Sequence, residues 1–380
     1  MKVYLDNAAT TPMAPEVIDE MTNVMKANFG NPSSTHAFGR EARGVIEVAR
    51  RKIAASIGAE PKEIVFTSGG TEADNMAISC AINDMGVTRV ISATIEHHAV
   101  GRCIEGEQAF QVDYVRVSET GSIDLEHLEL LLQDPQKTLV SLMHANNEIG
   151  TLLNIEVVSA LCKKYNAYFH SDSVQTMGHY TIDVKSFGAD FLTCSAHKFH
   201  GPKGIGFLYV NKRVKVSPLI QGGSQERGMR GGTENITGIV GLAKALELAN
   251  SDILAHQEYV QGLKSYMITQ LRERIPGVSF HGEIAPEKSL YTVLNVCFPP
   301  FENKSMLLFL LDLDGIAASG GSACTSGAST GSHVLRGIQA DSNRPNSRFS
   351  FSRYTTMEEI NYVLEILEKI VVGVPVSNVE

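Results

Sequence analysis

The chain has 380 residues, 43% hydrophobic and 20% charged, with 33 Lys and Arg against 42 Asp and Glu for a formal net charge of −9. That length exceeds one hydrophobic core and predicts two domains, and the acidic balance without a Lys/Arg block argues against a direct nucleic-acid partner. No apolar run approaches the ~20 residues that span a bilayer, and Met1–Asn7 lacks the apolar core of a signal peptide, so no membrane partner and a cytoplasmic location are expected. Six cysteines (Cys80, Cys103, Cys162, Cys194, Cys297, Cys324) stand without CxxC spacing, which predicts reduced thiols and neither a metal knuckle nor a disulfide framework.

In chain order, residues 3–5 lead into the polar turn Asp6-Asn7-Ala8-Ala9-Thr10-Thr11-Pro12. Val17, Ile18, Met21, Val24 and Met25 give residues 15–25 helical spacing. A turn-rich loop, 29–40, precedes a second helix, 40–57. Strands are then predicted at 63–67, 89–94, 111–117, 138–143, 167–170, 189–193 and 204–210. Helices fall at 71–83, at 154–165 with Asn154 as cap, and at 239–249. Repeated βα units predict an α/β fold, with a mainly parallel sheet covered by helices on both faces. Beyond about residue 250 the character changes. An amphipathic helix at 253–274, strands at 291–298 and 348–352, and a helix at 357–371 with Thr355 and Glu358 in capping-box spacing make a smaller α+β C-terminal domain.

The chemistry gathers at strand ends, where ligands of such sheets bind. Lys198 follows the strand at 189–193 and Asp172 closes the one at 167–170. A surface lysine is the bland alternative for Lys198, and the aspartate is what changes its weight. An amine and a carboxylate on two strand ends are the pair that a pyridoxal phosphate site needs, one for the aldehyde and one for the ring nitrogen. Phe66-Thr67-Ser68-Gly69-Gly70-Thr71 is a strand, a glycine turn and a helix start, suited either to an anion or to a plain capped turn. Thr71 stands there as a helix cap, with Asp74 in capping-box position, or as a phosphate ligand. His97 and Asn147 close two further strands, and a histidine there could stack on an aromatic ring or serve structure alone. Residues 222–233, glycine-rich with Arg227 and Arg230, fit a phosphate, a neighbouring subunit or a flexible surface loop.

Cys194 and Cys297 lie in apolar runs and read as core. Cys324 differs, carried at the middle of a run, 317–332, built almost wholly of Gly, Ala, Ser and Thr, from which a thiol could be delivered to a substrate. Arg348, before Phe349-Ser350-Phe351, could clamp a carboxylate or form a surface ion pair.

Taken jointly, residues 4–12, 67–75, 143–150, 195–206, 226–233, 322–326 and 348–350 resemble the cysteine desulfurases of the NifS/IscS branch of the class-V aminotransferases. The resemblance implies pyridoxal-phosphate fold type I, like aspartate aminotransferase. Residues 13–250 would form the large cofactor-binding domain, and 1–12 with 251–380 the small domain carrying the catalytic cysteine. It implies that Lys198 binds the cofactor aldehyde, Asp172 the ring nitrogen and Gln175 the ring hydroxyl, with His97 stacked on the ring. Gly70, Thr71, Ser195 and His197 would hold the phosphate, joined by Thr233 from the partner subunit of a homodimer. Asn147, also beside the cofactor, and Arg348 would hold the substrate carboxylate. Cys324 would be the nucleophile that takes sulfur from L-cysteine as a persulfide, leaving L-alanine, and passes it to an acceptor protein such as an iron–sulfur scaffold or a thiolation enzyme. An aminotransferase or selenocysteine lyase on the same scaffold is the nearest alternative, and a silent docking scaffold the next. One departure touches the site: Ser171 and Ser173 flank Asp172 where the family more often has valine and alanine.

Overall fold

The computed structural model describes residues 1–105, 110–320 and 331–373. Its strands, in chain order, are β1 (Val3–Tyr4), β2 (Ile64–Thr67), β3 (Arg89–Ser92), β4 (Gln111–Tyr114), β5 (Thr138–Ser141), β6 (Tyr168–Asp172), β7 (Phe191–Ser195), β8 (Gly206–Val210), β9 (Ser279–His281), β10 (Val293–Cys297), β11 (Ile316–Ala317) and β12 (Asn346–Ser350).

Seven strands form the main sheet in the order β2-β8-β7-β6-β5-β3-β4. Neighbours are parallel from β4 through β7, and β8 alone runs against its neighbours β7 and β2. β2, β3, β5, β7 and β8 are buried at every position. Their near-continuous apolar runs are what a sheet covered on both faces requires. One face packs against helices Pro15–Ala27, Ala37–Ser56 and Ile236–Ser251 through Val17, Ile46, Ile53, Ile239 and Leu242. The other meets helix Gly70–Asn83 through Met76, Ala77 and Ile78. Asn154 caps helix Ile155–Lys164 as expected, accepting the Val157 amide, and Asn235 caps Ile236–Ser251 in the same way.

A second layer holds the antiparallel sheet β12-β10-β9 and helices Ile253–Arg274 and Met357–Val372. Leu263, Met267, Leu271, Val296, Phe298, Phe349, Leu364 and Leu367 make its core. β1 pairs in parallel with β11, and Val3 and Leu5 pack into this same core, so the chain start is stitched to its C-terminal part. The capping box of the last helix falls one residue later than expected. Thr356 accepts the Glu359 amide while Glu359 accepts that of Thr356. The Thr355 hydroxyl is already engaged by the Ser352 amide.

Cys194 and Cys297 are buried, as their apolar settings imply. Among the described residues no helix is long and apolar enough to cross a membrane.

Candidate active site

The strand-end residues named from sequence converge. Gly70, Thr71, His97, Asn147, Asp172, Gln175, Ser195, His197, Lys198 and Arg348 all line one cavity of about 230 Å³ at the carboxyl ends of the parallel strands. Ala8, Ala9, Asp74, Met143 and Val174 complete its wall.

Each group is placed by its element. Lys198 ends a single 3₁₀ turn, Ala196–Lys198, directly after β7. Its Nζ donates to the carbonyls of Ala8 at 2.6 Å and Ala9 at 2.9 Å, which brings the N-terminal turn over the cavity. Asp172 is the last residue of β6; its Oδ1 accepts the Val174 amide at 2.9 Å. Burial pushes the Asp172 carboxyl up to about 7, with the nearby Asp74 adding to the effect. Gln175 Nε2 donates to the Ala8 carbonyl at 3.1 Å.

His97 caps helix His98–Ile104, its Nδ1 accepting the Ala99 amide at 3.2 Å. That bond assigns the ring proton of the neutral imidazole to Nε2. Burial, then the Lys198 charge, lower His97 to about 4, so it is neutral at physiological pH. His197 is lowered likewise, to about 4, chiefly by burial, and its Nδ1 meets the Thr10 hydroxyl at 3.2 Å.

The turn after β2 is shaped for an anion. Gly69, at φ 155° and ψ −173°, occupies backbone space that suits glycine. A Cβ on Gly70 would lie 2.8 Å from Val174 Cγ2. Helix Gly70–Asn83 starts one residue before Thr71 with no side-chain cap, which corrects the expected Thr71–Asp74 capping box. Its first two residues, Gly70 and Thr71, line the cavity together with Ser195, so the helix start and its positive dipole end border it.

Arg348 is 1% exposed. Its Nη1 donates to the Asn147 carbonyl at 2.9 Å and its Nη2 to Asp6 Oδ1 at 2.8 Å. The turn bearing Asn147 is fixed by Asn146 Oδ1, which accepts the amides of Glu148 and Ile149. Ser171 and Ser173 hydroxyls are buried with no hydrogen-bond partner among the described residues.

Thr233 does not line this cavity and is exposed in the single chain. Its loop is pinned, not loose: Arg50 Nη2 meets Glu226 Oε1 at 2.6 Å, and Arg230 Nε meets Glu72 Oε1 at 2.9 Å. Cys324 lies outside the described residues. The described flanks of its segment are tied beside the cavity, Ser319 to Asp6 and to the Arg348 backbone, Ser332 to the Glu148 carboxylate.

The aminotransferase class-V family model matches residues 3–363. The chain belongs to the class-V aminotransferase family. Its relatives include the cysteine desulfurase IscS of Dictyoglomus turgidum, 45% identical over 97% of this chain and 94% of that protein. A solved NifS-like protein superposes with a TM-score of 0.91 at 37% identity, over 98% of this chain and all of that one. A structure of SspA in complex with cysteine gives a TM-score of 0.81 at 32% identity, over 93% of this chain and all of that one. The α/β fold with a mainly parallel central sheet is therefore the fold of this family.

Members of the family are pyridoxal-phosphate enzymes. The cavity fits that group on its own chemistry. It offers an amine, a buried carboxylate, a flat neutral imidazole, and a helix start with two hydroxyls. Asp74 and the alanines of the N-terminal turn were not anticipated as wall residues. The helical spacing of Asp74 from Gly70, four residues on, is the signal that could have found the first.

Proposed function

We propose that this chain is a pyridoxal-phosphate-dependent cysteine desulfurase, converting L-cysteine to L-alanine and moving the sulfur to Cys324 as a persulfide. The convergence of Lys198, Asp172, His97 and Arg348 in one cavity carries this reading. The bound pyridine ring supplies an electron sink for the substrate's Cα.

Lys198 would anchor the cofactor aldehyde, and its amine is the base that would take the Cα proton. Asp172 holds a proton on the ring nitrogen, since an ionised buried carboxylate is satisfied best by a cation beside it. Gly70, Thr71, Ser195 and His197 bind the phosphate with helix amides and side-chain donors. His97 would lie against the ring, and with its proton on Nε2 it could hand protons to substrate. Gln175 orients the ring hydroxyl. Arg348, with Asn147, holds the substrate carboxylate. Cys324 attacks the substrate sulfur, so the carbon–sulfur bond breaks as the sulfur–sulfur bond forms. The thiol proton balances the new hydrogen on alanine.

The cysteine in the SspA structure supports the substrate assignment. The protein works as a cytoplasmic homodimer in which Thr233 reaches the partner's phosphate site. An iron–sulfur scaffold or a thiolation enzyme then takes the persulfide. The residues 13–250 form the cofactor domain, and 1–12 with 251–380 form the domain that brings the cysteine. The test is to supply the purified, cofactor-loaded protein with L-cysteine. Equal yields of alanine and protein-bound sulfane sulfur in one turnover are expected, and alanine without bound sulfur would refute the transfer to Cys324.

A further inference from the structure

A buried polar chain runs beneath the cavity floor, and the chemistry above does not use it. His170 and Asp172 stand two apart on β6 and so share one face of that strand. His170 is fully buried. Its Nδ1 lies 2.8 Å from the Ser141 hydroxyl on β5, and its Nε2 lies 3.2 Å from the Thr193 hydroxyl on β7. The same Nε2 is 3.3 Å from Asp74 Oδ1. Thr193 is also the residue paired with Asp172 across β6 and β7. Asp74 is 1% exposed, lines the cavity together with Asp172, and has no hydrogen bond to Oδ1 among the described residues.

We propose that Asp74 is a positioning residue for the cofactor ring, holding a second negative charge behind Asp172 on the ring-nitrogen side of the cavity. The inference rests on the reading that pyridoxal phosphate occupies this cavity. Where the Ser141 hydroxyl donates to His170 Nδ1, the imidazole's remaining proton is on Nε2, the side of Thr193 and Asp74. Burial lowers His170 to about 4, so at neutral pH the imidazole brings no positive charge to offset Asp74. Burial pushes Asp74 up to about 7, while the Thr193 hydroxyl favours its ionised form. A cation at the ring nitrogen beside two such carboxylates draws both into the ionised state.

The titratable groups around Asp74 are few. His170 and Asp172 face it from β6, Glu96 from the segment after β3, and Cys103 from helix His98–Ile104. Lys198 faces Asp172 from the turn after β7. Glu96 is pushed well above the usual carboxylate range, first by burial, and its Oε1 accepts the Met143 amide. Asp74 is then a second carboxylate beside Asp172, in a cavity whose cationic wall residues are Lys198 and Arg348.

The test titrates the visible absorption of the bound cofactor, without substrate, in the wild type and in Asp74→Asn. Loss of a nearby negative charge should move the acid–base transition down by about one pH unit. Thr193→Val, nearly isosteric, removes the hydroxyl that favours ionised Asp74. It should move the transition the same way by less, and it decides the matter if Asp74→Asn fails to bind cofactor. An unchanged transition in cofactor-loaded Asp74→Asn, or in Thr193→Val where only that variant loads, overturns this inference and leaves the desulfurase reading intact. A wild-type protein that takes up no cofactor overturns both.

Discussion

Arg348 Nη2 sits 2.8 Å from Asp6 Oδ1, so the guanidinium at the cavity edge is aimed by the N-terminal turn, more than 300 residues away in sequence. Asp6 Oδ1 also accepts the Ser319 hydroxyl at 2.8 Å. One carboxylate thus ties together β12, the N-terminal turn and the segment that leads towards Cys324. The arginine is fixed at both ends, by Asp6 and by the Asn147 carbonyl, before any substrate arrives.

Arg348→Ala should therefore raise KM for cysteine by about 10- to 100-fold, the worth of charge-assisted hydrogen bonds of ~1.5–3 kcal/mol, with a smaller effect on kcat. Asp6→Asn keeps a hydrogen-bond acceptor but loses the charge, and should raise KM less. Steady-state kinetics with both variants checks this. An unchanged KM in Arg348→Ala would mean that the carboxylate is held elsewhere.

Lys198→Ala should abolish the visible absorption of the bound cofactor and all turnover. Lys203, five residues on, is exposed and not part of the cavity wall, so no substitute amine stands there. Spectra recorded after dialysis against excess pyridoxal phosphate measure this. A retained band would move the anchor to another lysine.

Much of the site was legible because strand ends are a chemical pattern as well as a geometric one. Thr71, His97, Asn147, Asp172 and Lys198 each follow an apolar run too continuous to face water, and the sheet brings those ends together. What remained hidden depends on contacts distant in sequence. The reversal of β8 follows from a short connection after Lys198, which no periodicity reveals. Thr355 with Glu358 and Thr356 with Glu359 have the same capping spacing, and only the Ser352 amide chooses between them. Asp74 looks like a cap partner until the helix starts early, with Gly69 as its cap residue, and places the carboxylate 3.3 Å from His170 Nε2.

Lys264 offers a pH test of the second core. It is 1% exposed, donates to the Ser289 hydroxyl at 2.6 Å and the Leu290 carbonyl at 2.9 Å, and burial lowers it to about 7. Unfolded, it titrates near ~10.4. Between those values the unfolded chain binds the extra proton, so this residue makes stability rise with pH, by up to about 1.4 kcal/mol per pH unit. Below pH 7 that contribution is gone. The difference in unfolding free energy between wild type and Lys264→Met, followed in urea from pH 7 to 9.5, should grow with pH in favour of the wild type. A flat difference would show that the amine keeps its proton in the folded protein.

Cys324→Ser tests the nucleophile. The described flanks of its segment are held by Ser319 at Asp6 and by Ser332 at Glu148, and neither bond involves the thiol. Folding and cofactor content should thus match the wild type. Lys198, Asp172 and Arg348 are untouched, so L-cysteine should still bind and change the cofactor's spectrum. The step that fails is removal of sulfur, because a serine hydroxyl is a poor nucleophile towards sulfur. The expected result is a spectral change on adding cysteine, no protein-bound sulfane sulfur, and alanine formation reduced at least ~100-fold, which is ~2.7 kcal/mol of transition-state stabilisation. Cys194→Ser and Cys297→Ser are the controls. Both thiols are buried in strands, so these changes should lower the unfolding midpoint and leave sulfur transfer in the surviving folded protein near the wild-type rate. Wild-type rates of sulfide release by Cys324→Ser, with pyruvate and ammonia in place of alanine, would mean that sulfur leaves by elimination and that the thiol is not the nucleophile.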